Sequence, residues 1–419
     1  MNIKQRLTIL SFLQFFIWGS WLISTGGYLF SIGFNGMQIG GVFSTLGIAS
    51  LIMPAILGIV ADKWVNAEKL LGICHLVGAV CLIMVSFIKD PVIMFWVMLL
   101  NSMAYMPTIS LNNAVSYKLL SQSGFDIQKT FPPIRVFGTI GFIVAMWFVD
   151  LTGFSKTNFQ YYLAAASAIA MGIYSLNLPA CPPVKTESKN TFMSKMGLDA
   201  LVLLKQERMV VFFIFSMLLG AALQITNTFG GSFLSDFGNN DLFKDSFVVK
   251  HDLVMLSLSQ ISETLFILTI PYFLKKFGIK IVMVISIFAW ILRFGFFGIG
   301  DPDPNGGLVF LILSMIVYGM AFDFFNISGS LFVERETPSA IRSSAQGLFM
   351  MVTNGLGAII GGIGSGWVVD YWTENGIKDW TSIWFSFAGY AVVLLIFFPL
   401  LFKYRHYPED EYGETRRTF

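Results

Sequence analysis

Long apolar runs recur along almost the whole chain, and they constrain its fold more than any other feature. A membrane-spanning helix needs about 20 mostly apolar residues, because the hydrocarbon core is about 30 Å thick and a helix rises about 1.5 Å per residue. Runs of this kind occupy residues 7–30, 38–61, 70–88, 91–117, 132–150, 159–179, 209–234, 252–274, 281–300, 307–333, 341–371 and 381–402. The sequence therefore predicts an all-α membrane protein with twelve transmembrane helices.

The overall composition agrees with a membrane protein. Charged residues make up 12% of the 419 residues, and hydrophobic residues make up 55%. A soluble domain usually contains about 25% charged residues. The low charge content is typical of a polytopic membrane protein.

Sequence motifs for metal, phosphate or nucleophilic chemistry are missing. The three cysteines, Cys74, Cys81 and Cys181, are not spaced C-x-x-C, so neither a disulfide framework nor a metal site is predicted. There is no phosphate-binding glycine loop and no nucleophile elbow. We therefore expect no cofactor, no ATP-driven pump and no enzyme.

A long polar connection divides the chain into two halves of about six runs each. The connection contains Pro182-Pro183. The two halves also show an internal similarity, because Ile134-Arg135 opens the fifth run of the first half and Ile341-Arg342 opens the fifth run of the second. Two six-helix repeats around a site near the membrane midplane are typical of secondary transporters. The predicted parts are an N-terminal six-helix bundle (1–180), a cytoplasmic linker (181–208), a C-terminal six-helix bundle (209–403) and a cytoplasmic tail (404–419).

Lysine and arginine residues concentrate in the connections on one side of the predicted bundle. If the helices alternate in direction, that side carries both chain ends, and Lys63, Lys118 and Arg342 lie there too. Cytoplasmic loops carry an excess of basic residues. Both termini are therefore predicted to be cytoplasmic.

Two carboxylates lie deep within predicted helices. Glu263 and Asp323 are each flanked on both sides by apolar or small residues. A charged side chain at the middle of a spanning helix costs roughly 2.5–3.5 kcal/mol on insertion scales, so it usually faces a cavity and serves a substrate site or a proton relay. A carboxyl group in a low-dielectric environment can hold a proton at neutral pH, as proton-coupled transport requires. The alternative is a structural pair, satisfied by serine, asparagine or backbone groups.

Polar and aromatic side chains recur at helical spacing on four of the predicted helices. Residues three or four positions apart share a helix face. These faces are Arg135, Thr139 and Phe142; Gln224 and Asn227; Gln260 and Glu263; and Tyr318 and Phe322. Amides and carboxylates can bind hydroxyl groups, and aromatic rings can stack on a flat heterocycle. The pattern favours a cavity between the halves, although interhelical hydrogen bonding is an alternative for each amide pair.

Two further helix faces and one arginine also carry polar groups inside the predicted helices. Two more faces are predicted to line the same cavity: Gln14, Trp18, Trp21 and Thr25, and Asn101, Tyr105, Thr108 and Asn112. Arg293, in the ninth run, is predicted to have a structural role.

Several stretches resemble known transporter sequences. Gly58-Ile-Val-Ala-Asp62-Lys63 resembles the signature loop of the major facilitator superfamily, although Val65 replaces the usual glycine and the following basic pair is missing. Longer stretches resemble the bacterial nucleoside–proton symporter family over nearly the whole chain. They are Ser11–Trp21, Phe131–Phe142, Leu223–Asn227, Ser259–Glu263 and Tyr318–Gly329.

The resemblance implies a major facilitator fold in the bacterial cytoplasmic (inner) membrane. It implies a proton-coupled importer of nucleosides, for example uridine, adenosine, inosine or xanthosine, that works by alternating access. The predicted substrate-binding residues are Arg135, Thr139, Phe142, Gln224, Asn227, Gln260, Glu263, Tyr318 and Phe322. Asp323 is the first candidate for proton coupling, and Glu263 is the second.

Spacing and burial alone leave other functions open. A sugar–proton symporter or a drug exporter of the same fold would use the same kind of cavity. A transporter-like receptor would bind nucleosides without moving them. The predicted partners are nucleosides, protons and membrane lipids, with no nucleic acid, and the protein is predicted to be a monomer.

Overall fold

The structure, a computed structural model, describes residues 2–183, 198–339 and 341–404. Half of the predicted linker (181–208) and nearly all of the predicted tail (404–419) lie outside these residues.

Seven helices form the described part of the N-terminal half. They are α1 (Ile3–Gly19), α2 (Thr25–Ser31), α3 (Gly36–Lys63), α4 (Ala67–Val85), α5 (Pro91–Gln122), α6 (Ile127–Leu151) and α7 (Phe159–Leu176), with a 3₁₀ turn at Phe154–Lys156. The predicted run 7–30 is thus two helices, separated by turns at residues 20–24.

The described part of the C-terminal half is also helical, apart from a two-stranded hairpin. Its elements are a 3₁₀ helix (Leu198–Lys205), α8 (Glu207–Asp236), a 3₁₀ turn (Phe237–Asn239), α9 (Phe247–Lys250), α10 (Asp252–Ile267), α11 (Ile270–Ile299), α12 (Gly307–Glu336), α13 (Arg342–Met350), α14 (Gly357–Tyr371), β1 (Thr373–Glu374), β2 (Ile377–Lys378) and α15 (Trp380–Leu401). A π-helical segment, Met351–Leu356, joins α13 to α14.

Side-chain caps begin several of the long helices. The Asn2 side chain accepts a 2.9 Å hydrogen bond from the Gln5 amide, and Asn35 accepts one of 2.8 Å from the Gln38 amide. In both cases the glutamine side chain returns a bond to the cap residue. This reciprocal pairing satisfies backbone groups that a helix start leaves without partners.

Helix α11 is interrupted near its start. Gly278 has a φ of 75° and a ψ of 168°, a conformation that glycine adopts because it has no Cβ. The break falls between the predicted runs 252–274 and 281–300. The first of these runs therefore corresponds to α10 with the beginning of α11.

Nine helices among the described residues are long and apolar enough to cross a membrane. The remaining three predicted runs coincide with α1 and α2, with α7, and with α10 and the start of α11. The prediction of a largely helical membrane protein is confirmed in this coarser form.

The helices of each half pack mainly against one another. In the first half α1 packs on α6, α3 on α5 and α4 on α7; in the second, α11 packs on α12 and α15, and α8 on α14. Contacts between the halves are made by α3 with α14, α6 with α10, and α2 with α8. We call the side of the bundle with the starts of α3 and α10 and the ends of α6 and α14 the far side. The other side is the chain-end side.

Candidate functional site

A cavity of about 760 Å³ lies between the two halves. Its walls come from α1, α3, α5 and α6 of the first half and from α8, α10, α12, α13, the π-helical segment and α14 of the second. Small-molecule sites usually measure about 300–1,000 Å³. The cavity is large enough for a ligand of that class.

All of the predicted binding and coupling residues line this cavity. They are Arg135, Thr139, Phe142, Gln224, Asn227, Gln260, Glu263, Tyr318, Phe322 and Asp323. The structure brings side chains from four separate helices to one space. Their roles in binding and coupling stay predictions.

The wall contributed by the first half combines a cation with aromatic rings. The Arg135 guanidinium lies over the Phe15 ring, with 4.0 Å from its central carbon to the ring centroid. Trp18 meets Phe142 edge to face at 6.3 Å between centroids. A guanidinium over an aromatic face is held by the ring quadrupole. The Phe15 contact therefore holds this positive charge at the cavity wall.

The wall contributed by the second half depends on a close approach of α10 and α12. A Cβ atom added to Gly319 would lie 2.7 Å from the Glu263 backbone nitrogen, closer than any side chain allows. The Ser262 hydroxyl donates a hydrogen bond to the Ile316 carbonyl oxygen at the same contact. The residue Gly319 therefore allows Glu263 on α10 and Asp323 on α12 to lie near each other.

Two carboxylates and one guanidinium dominate the electrostatics of the cavity. Asp323 is only 4% exposed, and its Oδ2 atom has no hydrogen-bond partner within the described residues. Glu263 interacts electrostatically with Asp323 and, across the two halves, with Arg135. Asp323 is buried and the other two charges are half-buried, so less water screens their interactions than at the surface. The site can respond to a change in protonation or to a polar ligand.

The aromatic pair on α12 lies beside these charges. Tyr318 and Phe322 stack with 6.3 Å between centroids and an angle of 18° between planes. The Tyr318 hydroxyl also interacts with the Gln260 side chain. One wall thus offers ring faces next to an amide and a carboxylate.

The two further faces predicted to line the cavity do not do so, except at Trp18. The Gln14 side-chain amide donates a 2.8 Å hydrogen bond to the Thr108 hydroxyl, and its Oε1 atom lies 3.0 Å from His75 Nε2. The backbone carbonyl oxygen of Gln14 accepts a 2.6 Å hydrogen bond from the Tyr105 hydroxyl. Those side chains form a buried polar cluster within the first half. The prediction was wrong for Gln14, Trp21, Thr25, Asn101, Tyr105, Thr108 and Asn112, which are buried but absent from the cavity wall.

Some cavity-lining residues were missed from the sequence. Helix α5 turns its other face to the cavity, with Ser110 and Asn113 on it, and Asn326 and Asn354 line the second half. Asn326 lies three residues after Asp323, a spacing that predicts a shared face. For Asn354, in the π-helical segment, the sequence offers no comparable signal.

The far side of the bundle is closed by contacts between the halves. The Asp370 carboxylate accepts hydrogen bonds of 2.6 and 2.8 Å from the Gly36 and Met37 backbone amides, at the start of α3. On the other edge, Asp150 accepts a 3.1 Å bond from the Leu253 amide, near the start of α10. Cavity-lining residues such as Pro54 and Gly347 lie toward the chain-end side. The cavity therefore extends toward the chain ends and is closed at the far side.

Comparisons with known proteins place the chain in a family. The family described as "Nucleoside H+ symporter" matches residues 1–407. The chain is 56% identical to nucleoside permease NupG of Escherichia coli (strain K12) over 407 residues, which are 97% of each protein. It is 55% identical to the xanthosine permease of the same strain over 410 residues, which are 98% of each.

The fold is also that of a solved transporter. The crystal structure of the nucleoside transporter NupG matches with a TM-score of 0.92 at 56% identity, covering 97% of this chain and 100% of that one. Both the family predicted from the sequence and its transporter fold are confirmed by these matches. The protein is therefore a transporter rather than an enzyme, and it belongs to the nucleoside H+ symporter family, with a fold of the major facilitator type.

Proposed function

We propose that this protein imports nucleosides together with protons, by alternating access, as a monomer in the bacterial cytoplasmic (inner) membrane. The observation that carries the proposal is the cavity to which both halves contribute hydrogen-bonding and aromatic side chains. A nucleoside needs both kinds of contact, because its sugar carries hydroxyl groups and its base is a flat ring. The relatives are a nucleoside permease and a xanthosine permease, which supports the same substrate class.

The proposed topology has twelve spans with both termini in the cytoplasm. Nine long helices supply nine spans, and α1 with α2, α7, and α10 with the start of α11 supply the others. The basic residues of the chain-end side support this orientation. Cysteines placed at Lys4 and Lys89, both exposed, test it. A membrane-impermeant thiol reagent added outside cells should label only the Lys89 position, and the opposite pattern would refute the orientation.

The second half is proposed to hold most of the nucleoside. Its amides and carboxylate would bind the hydroxyls of the sugar, and the Gln224 amide is oriented by a 3.1 Å bond that it donates to Thr228. Arg135 and Thr139 would face them from the first half. The base would lie against aromatic side chains from both halves. The residues of these groups are Gln224, Asn227, Gln260 and Glu263 for the hydroxyls, and Phe142, Tyr318 and Phe322 for the base.

Asp323 is proposed to carry the coupled proton. Its Oδ2 atom is buried without a hydrogen-bond partner in the described part of the chain, and a second carboxylate, Glu263, is close enough to interact with it. Carboxylates within membrane helices typically serve proton relays. Glu263 also interacts with Arg135 of the other half, which suits it to ligand binding and makes it the second candidate for the proton.

Alternating access requires the far side to open, and the contacts there show a repeated design. Asp370 lies one residue before the end of α14 and binds the first turn of α3 in the other half. Asp150 lies one residue before the end of α6 and binds the first turn of α10 in the other half. We name these two contacts the far-side caps. They are proposed to stabilise the state in which the cavity extends toward the chain ends.

The experiment that tests the function is uptake of labelled uridine into proteoliposomes. A proton gradient, acidic outside, should drive accumulation, and a protonophore should abolish it. Counterflow should persist without any gradient. Saturable uridine binding without exchange would instead identify a receptor.

Competition against uridine separates the other transporter classes. Free ribose and free base should each compete poorly, because each satisfies one kind of contact only. Strong competition by free ribose would favour a sugar–proton symporter. Strong competition by lipophilic aromatic drugs, with outward movement, would favour a drug exporter.

A further inference from the structure

Arg293 of α11 is a cation buried inside the second half, outside the cavity wall. It is 1% exposed, and among the described residues it forms no ion pair with a carboxylate. Its Nη1 atom donates to the Ser259 hydroxyl at 3.1 Å and to the Ser314 carbonyl oxygen at 2.7 Å. Burying an ion is unfavourable unless it finds good partners. A methionine or leucine would fill this position at less cost if packing were the only requirement.

Both polar partners of the guanidinium among the described residues lie on helices that carry the site. Ser259 precedes Gln260 on α10, and Ser314 lies one turn before Tyr318 on α12. The Ser314 hydroxyl returns a 2.7 Å bond to the Arg293 carbonyl oxygen. Arg293 therefore links α10 and α12 behind the cavity wall.

The guanidinium also contacts the Tyr318 ring. Its central carbon lies 5.1 Å from the centroid of that ring and 4.4 Å from the centroid of Phe297. Trp290, one turn away on α11, meets Tyr318 edge to face at 6.2 Å. Tyr318 is thus held from behind by α11 while it lines the cavity in front.

We propose that Arg293 is a positioning residue for the substrate, which sets the Tyr318 ring and the Ser259–Gln260 turn without touching the ligand. This inference rests on the proposed function, because it concerns the affinity of the same site. The planar guanidinium bonds two acceptors and lies against a ring at once, and the lysine ammonium does not reproduce this geometry. A positive charge alone is therefore insufficient to hold the Tyr318 ring and the Ser259–Gln260 turn in place.

The test is a double-mutant cycle with uridine as the probe, measured by calorimetry on the purified full-length protein. Arg293→Lys should weaken uridine binding about tenfold, because part of the free energy of one desolvated cation–π contact and its linked hydrogen bond no longer serves to place the Tyr318 ring. In a Tyr318→Ala background the same substitution should weaken binding only about threefold, the part that acts through Ser259, because coupled residues are not additive. Equal losses in both backgrounds would overturn the positioning role, as would unchanged affinity of Arg293→Lys.

Two further variants keep the test decisive. Ser259→Ala removes only one acceptor of the guanidinium and should weaken uridine binding about threefold even if Arg293→Lys does not fold, since only a single hydrogen bond is lost. Unchanged affinity of Ser259→Ala would then overturn the proposal. Tyr390→Phe is the matched control, because it removes a 2.7 Å bond from α15 to the Leu218 carbonyl oxygen of α8, outside the cavity wall. It should leave the affinity unchanged.

Binding by the wild-type protein distinguishes failure of the proposed function from failure of the positioning role. If it binds none of uridine, adenosine, inosine and xanthosine, the proposed function fails and the positioning role falls with it; if it binds one of the other three instead of uridine, that nucleoside is the probe for the cycle. If it binds and the cycle shows no coupling, only the positioning role is refuted.

Discussion

Removing the far-side caps should shift the protein toward a state that is open on the far side. Asp370→Ala deletes the acceptor of two amide hydrogen bonds at the start of α3, of 2.6 and 2.8 Å. The bonds exist only while the halves are together on this side, so their loss destabilises the closed state and leaves the open state unchanged. Loss of an N-terminal cap costs about 0.5–2 kcal/mol, and about 1.4 kcal/mol is a tenfold change in an equilibrium constant. We expect the open-to-closed ratio to rise about tenfold.

The second cap should contribute less. Asp150 accepts one amide bond at 3.1 Å and pairs with His251 Nδ1 at 2.7 Å, but it also lies beside the buried carboxylate of Asp252. Deleting Asp150 removes the attraction and also relieves the repulsion between the two carboxylates. Asp150→Ala should therefore shift the ratio less than Asp370→Ala. Because the two caps share no partner, the effects should add in the double variant, to at most about a hundredfold.

The measurement is a distance distribution by double electron–electron resonance. Spin labels at Lys89 and Leu242 report on the far side from the two halves, and Leu242 is 84% exposed. All three native cysteines are buried, which favours selective labelling of the introduced sites. The wild-type protein should give mainly the short distance, and the double variant should add a longer one.

The control is another carboxylate cap on the same side. Asp379 accepts a 3.1 Å bond from the Ser382 amide at the start of α15, within one half. Asp379→Ala should lower stability similarly without changing the distance distribution. If the double variant gives the same distribution as Asp379→Ala, the far-side caps do not hold the closed state and the reasoning is refuted.

The remaining predictions concern the cavity. Asp323→Asn should abolish uridine accumulation driven by a pH gradient while counterflow continues; full accumulation by this variant would exclude Asp323 from coupling. Glu263→Gln should weaken uridine binding about tenfold, because hydrogen bonds to a charged group contribute about 1.5–3 kcal/mol; calorimetry that shows an unchanged affinity would remove Glu263 from the site. Gly319→Ala should reduce uridine binding and lower the free energy of unfolding by about 1–3 kcal/mol through overpacking, since its Cβ would lie 2.7 Å from the Glu263 nitrogen. Gly389→Ala, where a Cβ meets no atom within 4 Å, is its control in thermal unfolding and calorimetry.

The sequence was informative where a local pattern of apolar or polar residues determined the structure. Apolar length predicted the helices, and the three-residue spacing of Gln260 and Glu263 predicted a common face, which the structure places on the cavity wall. Charge inside an apolar run identified Asp323 because burial makes such a residue costly. These signals are local, so they can be read without knowing what each helix packs against.

The same spacing misled on α1 and α5. Gln14, Tyr105 and Thr108 have helical spacing, but they bond to each other inside the first half. Periodicity shows that residues share a face, and it does not show which neighbour that face meets. The contact of Asp370 with Gly36 joins residues 334 positions apart, and no local pattern predicts it.

The free energy contributed by the far-side caps suits a protein that must alternate between states. In lipid, apolar side chains have nearly the same free energy against another helix as against hydrocarbon. Polar and backbone contacts therefore decide how helices associate. The far-side caps are directional hydrogen bonds to charged groups, and each contributes on the order of 1–2 kcal/mol. A ligand shifts an equilibrium only by its difference in affinity for the two states, and a shift from 1:99 to 99:1 needs about 5.5 kcal/mol. Two caps of this free energy favour the closed state, but substrate and proton binding can still shift the protein to the open state. Much stronger contacts would hold the protein closed.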